Sequence, residues 1–165
     1  MDHREQALSL RTRLNDHAAN IVELAGEAVL LFHAAESSVH VRWLDFELKG
    51  YGAAVDHAPL HEVLGVPSGD RLSVHVSAYR AQTGRIIESQ QRYNQPFRHF
   101  FVESLPDLAS AAERMRGSTA IDLHLSFGPG VANYPASGAF PAGVFDAILL
   151  GFRAVLHLQL GSIAQ

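Results

Sequence analysis

Histidine offers this chain more chemistry than any other residue type, and four of the ten histidines share one setting. Val39-His40-Val41, Val74-His75-Val76, Leu123-His124-Leu125 and Leu156-His157-Leu158 each place an imidazole between two branched apolar residues. The first three fall in segments that read as β-strands. Strand neighbours alternate between faces, so the apolar pair points one way and the histidine the other. On that reading His75 shares a face with Ser73, Ser77 and Tyr79, and His124 shares one with Asp122 and Ser126. Were those strands adjacent, Asp122 would orient an imidazole and raise its pKa. His75 and His124 would then be the acid/base pair, and Tyr79 or Ser77 a polar contact. The competing reading is the polar, solvated side of a half-buried antiparallel sheet, and it ranks ahead.

Three other groups carry weaker signals. His57 and His61 stand at i and i+4, a spacing that can set two imidazoles on one divalent metal. The sequence nominates no third ligand, and two surface histidines at the start of a short helix rank first. Residues 128–140 form an irregular loop whose Tyr134, Asn133 and Ser137 are candidate ligand contacts. A crossover or a subunit-contact loop is the plainer alternative. Tyr93, Phe97, His99, Phe100 and Phe101 cluster with Arg92 and Arg98 between them. Phe97 and Phe100 are read first as packing, next as a protein-binding anchor, and last as a base-stacking platform.

Composition narrows the function classes. The 165 residues suit one domain over 1–165 with a genuine core. The net charge is −4, and the 13 basic residues form no cluster, which argues against a nucleic-acid partner. There is no cysteine, so disulfides, thiolate metal sites and cysteine nucleophiles are excluded. Charged residues make up 18%, below the usual share of about a quarter, a mild pointer to self-association. The polar start, Met1-Asp2-His3-Arg4-Glu5-Gln6, does not read as a signal peptide, and none is expected. The apolar stretches are too short and interrupted to span a bilayer, so no membrane partner is expected and the cytoplasm is the default compartment. G-x-G-x-x-G, P-loop, G-x-S-x-G and EF-hand signatures are missing, and no cofactor is expected.

These residues need elements to position them. Leu10, Leu14, Ala18, Ile21, Ala25, Ala28 and Leu31 recur at helical spacing and predict one long helix from about His3 to Ala35. Asn15-Asp16 offers a point at which a shorter helix could be capped. Val39 to Lys49 reads as a strand with a phase break near Trp43-Leu44. Residues 58 to 65 read as a short helix. Arg71 to Ala81 reads as a strand that turns at Thr83-Gly84 and returns over Arg85 to Tyr93. Ser104 caps a helix carrying Leu105, Leu108, Ala112 and Met115, closed by Gly117. Thr119 to Phe127 reads as a fourth strand. Pro141 opens a final helix to about Leu160, apolar nearly all round except for Asp146, Arg153 and His157 on one narrow strip.

The predicted fold is α+β: a two-layer sandwich of a roughly four-stranded, mainly antiparallel sheet, with long N- and C-terminal helices on one face. The predicted function is a non-catalytic protein-binding or assembly module, of the chaperone, immunity or assembly-subunit kind. Its partners would be a second copy of itself and possibly another protein. The alternative is a small-molecule binder or enzyme using the histidine-bearing sheet face.

Overall fold

The computed structural model describes residues 2–50, 103–117 and 143–165 with their side chains, and four short strands by their backbone. The body built by the described side chains is all-helical, with five helices: α1 His3–Leu14, α2 Ile21–Ala34, α3 Ser38–Lys49, α4 Leu105–Met115 and α5 Val144–Leu160. This overturns the α+β sandwich. The described strands make two separate antiparallel pairs, β1 Ile86–Ser89 with β2 Phe97–Phe100 and β3 Ala120–Asp122 with β4 Ala139–Pro141, and not one four-stranded sheet.

The expected long first helix is two helices. Polar side chains over 15–20 take the backbone bonds that would have continued it. Asp16 Oδ1 accepts from the Ala18 N–H at 2.9 Å, and Asn20 Oδ1 accepts from Val22 at 3.0 Å and Glu23 at 3.4 Å. Short polar side chains compete with the helix in this way and then cap the next one. Across the corner, Arg13 and Glu27 form a two-pronged pair at 2.6 and 2.7 Å. The Arg13 hydrogen bond holds the Glu27 carboxyl below its usual range against a smaller opposing effect of burial.

The expected strand over 39–49 is helix α3. Its buried positions are Trp43, Leu44 and Glu47, with His40 half-buried one turn earlier, and this spacing is helical. The apparent phase break was a helix with polar residues in two of its inward places. The chain enters α3 through a tight C-terminal turn of α2. The Glu36 N–H donates to His33 O at 3.1 Å and the Ser37 N–H to Phe32 O at 2.9 Å, with Glu36 at φ 55° where glycine is usual.

α4 forms where its cap and spacing place it, with Ser104 Oγ accepting from the Asp107 N–H at 3.2 Å. The last helix begins at Val144, and Pro141 belongs to β4 rather than to its first turn. α2 is central and touches the four other helices. The main core runs from Ala7, Leu10 and Leu14 through Leu24, Ala28 and Phe32 to Trp43, Leu44, Phe152, Leu156 and Leu160. Leu108, Ala111 and Ala112 of α4 meet Val144, Phe145 and Ile148 of α5 in a second cluster.

Candidate functional site

The described residues hold three arrangements able to do more than fill space. They are a histidine pocket, a buried arginine and an outward apolar face. All three involve α5.

Of the two described members of the histidine quartet, His40 is the one that the helical body encloses. Its ring stacks on Phe32 with centroids 4.4 Å apart and planes 6° from parallel. Nδ1 lies 2.6 Å from Ser37 Oγ, and Nε2 lies 3.1 Å from Gln159 Oε1. With the proton on Nε2, the imidazole donates to Gln159 and accepts from the Ser37 hydroxyl. A hydroxyl, an imidazole and an orienting group in line resemble an activated nucleophile. The third member decides against that role, because a neutral amide cannot stabilise an imidazolium as a carboxylate does. Burial pushes the His40 pKa down, and the Gln159 hydrogen bond only partly offsets it. The arrangement therefore holds a neutral imidazole as a bolt between α2, α3 and α5.

Arg153 is buried at 8% exposure, on the strip of α5 that the sequence marked as polar. Its guanidinium donates to the carbonyls of Leu14 at 3.3 Å, Asp16 at 3.1 Å and His17 at 3.4 Å, and to that of Ala19. Five donors in a planar fork suit several carbonyls at once. Arg153 thus donates to carbonyls at the end of α1 and along the corner into α2, among them that of Asp16, which also accepts from the Ala19 N–H at 3.1 Å. Burial lowers its pKa, and the charge of Asp16 opposes that shift. A cleft of about 800 Å³ opens beside it, bordered by Asn20, Glu113, Arg116 and Asp146.

The outer face of α5 is different in kind. Ala147, Leu150, Ala154 and Leu158 follow one another at three- and four-residue spacing, and all four are exposed. Leu150 is 50% and Leu158 71% accessible. Leu158 shares a groove of about 780 Å³ with Leu8 of α1, itself 45% accessible. Arg11 and His157 border the same groove, and Asp146 stands at the opposite end of the helix. Arg11 Nε is buried without a hydrogen-bond partner. Burial, and then the Arg11 charge, hold His157 below the usual imidazole range. Leu30 of α2, also 71% accessible, makes the contrast: it borders a groove with the charged pair Arg13 and Glu27, where one exposed leucine is ordinary.

None of the sequence-derived site residues has a described side chain. His57, His61, His75, Tyr79, His124, Asn133 and Tyr134 lie outside the described residues. Asp122 is in β3 opposite Ala139. Phe97 and Phe100 are in β2 opposite Ser89 and Ile86. Among the described residues no three histidine, aspartate or glutamate side chains gather as a metal would require. Nor is any helix among them long and apolar enough to cross a membrane. Sequence reasoning missed Leu8 and Arg11, which lie off the buried stripe of α1. The near-uniform apolarity of α5 was the signal for its exposed face. Compared with protein-family models, curated proteins and solved structures, the chain matches none.

Proposed function

We propose that the protein is a non-catalytic protein-binding or assembly module that associates with itself through the outer face of α5. One observation supports this reading above others: Ala147, Leu150, Ala154 and Leu158 leave an uncharged strip on a helix whose opposite side is already core. Apolar side chains that cluster at the surface, and are not scattered singly, mark contact sites. Leu8 widens the strip, and polar or charged groups border it, as at a protein interface with a dry centre and a wet rim. The low share of charged residues, 18%, points the same way.

Native mass spectrometry over a range of protein concentrations tests this directly. An integral multiple of the 18.0 kDa chain mass is the expected result. A single-chain mass at every concentration, with no bound protein retained, would overturn self-association.

A further inference from the structure

Resting on that reading, we infer that two copies pair through antiparallel α5 helices across a two-fold axis at Ala154, with Asp146 of each copy meeting Arg11 and His157 of the other. Spacing carries the first part. Leu150 and Leu158 lie four residues to either side of Ala154. At about 1.5 Å per residue and about 100° per step, both sit roughly 6 Å along the axis and roughly 40° around it from Ala154. A two-fold axis through Ala154 brings Leu150 of one copy to the level of Leu158 of the other. Ala154 then faces itself, and Gly151 leaves room beside it. Small residues at the crossing let helix axes approach to about 8 Å.

Charge carries the second part. Asp146 lies eight residues before Ala154 and is exposed. Gly161 lies seven residues after Ala154, and a Cβ placed on it would stand 3.9 Å from the Arg11 guanidinium. The acidic end and the basic end are therefore nearly equidistant from Ala154. Around the helix, Asp146, Leu150 and His157 fall on the same side of Ala154, the side toward Arg11. A two-fold axis perpendicular to α5 keeps that side together in both copies, so Asp146 meets the basic end of its partner twice. A parallel pairing would set each end against itself. Neither Asp146 nor Arg11 has an ion pair among the described residues.

The chain has no cysteine, so single introduced thiols report the geometry cleanly. Ala154→Cys should oxidise to a disulfide-linked dimer. A mixture of Leu150→Cys and Leu158→Cys should cross-link, whereas Leu150→Cys alone should not. Its two copies would lie about 12 Å apart along the axis, beyond the roughly 7 Å Cα separation a disulfide spans. Asp146→Arg should weaken association about fivefold at low salt, less at high salt. Self-cross-linking of Leu150→Cys as fast as the mixture would replace the antiparallel pairing with a parallel one. A wild-type dimer in which Ala154→Cys stays unlinked would place the contact on another face. Both results overturn this inference but leave self-association standing; a wild-type monomer would remove both.

Discussion

The inner and outer faces of α5 are both apolar and behave as opposites. Phe145, Ile148, Phe152, Leu156 and Leu160 face inward and are nearly inaccessible, whereas Leu150 and Leu158 stand half or more exposed on the other side. The inner face stabilises the fold by leaving water, at about 25 cal/mol per Å² of apolar surface. The outer face keeps that same driving force unused in the isolated chain. Apolar periodicity on one helix can therefore report two different events, folding and association, and only the position of neighbouring helices separates them.

The difference can be sharpened first by truncation. Phe152→Ala removes a ring that packs 5.7 Å from Trp43 and should cost about 4 kcal/mol of unfolding free energy. Leu158→Ala should cost well under 1 kcal/mol in the monomer. Urea titration of both variants at low protein concentration measures the contrast, and equal losses would erase it.

At the seam between the two faces stands Arg153. Arg153→Met removes the guanidinium donor from the carbonyls of Leu14, Asp16, His17 and Ala19, of which Asp16 keeps the Ala19 N–H, and should cost about 3 kcal/mol. Arg153→Lys should recover only part of this, because one ammonium cannot reach four carbonyls as a planar fork does. Denaturant midpoints of the two variants provide the check.

The two histidine triplets in the helical body repeat the contrast more weakly. Val39-His40-Val41 turns its imidazole inward, and Leu156-His157-Leu158 leaves its imidazole at the rim. Both pKa values lie below the usual imidazole value, burial being the main cause. The unfolded chain therefore binds protons at higher pH than the folded one. The stability these groups contribute is full above about pH 6.5 and is lost as pH falls from there toward the depressed folded values. His40→Phe should flatten the fall in urea midpoint between about pH 7.5 and about pH 5.5 more than His157→Gln does. The smallest effect is on another helix. A Cβ at Gly26 of α2 would meet nothing within 4 Å, so Gly26→Ala should stabilise by about 1 kcal/mol or less without altering association.

Where local signals agreed, the sequence was readable. α4 carries a good cap in Ser104 and an unambiguous stripe in Leu105, Leu108 and Ala112, and it forms there. The apolar pattern of α1 and α2 was also visible, yet their separation depends on hydrogen bonds that Asp16 and Asn20 accept and that no periodicity encodes. α3 was illegible for a physical reason. Its inward places include His40 and the fully buried Glu47, whose carboxylate accepts from Trp43 Nε1 at 3.2 Å. Two polar residues in buried positions hide a helical stripe, and Val39, Val41 and Trp43 then imitate a strand. That error made one quarter of the expected sheet and, with it, part of the expected histidine face. The candidate surface was half legible: α5 was plainly too apolar for an ordinary surface helix, but which side remained outside depends on α1, α2 and α4.

The central claim is that the outer face of α5 associates and does not stabilise. Sedimentation velocity on wild type and Leu158→Asp, with far-ultraviolet circular dichroism on the same samples, tests it most directly. Wild type should sediment as an oligomer and Leu158→Asp as a single folded chain, with unchanged helix content. An oligomer that persists in Leu158→Asp, or a variant that loses its helices, would contradict it.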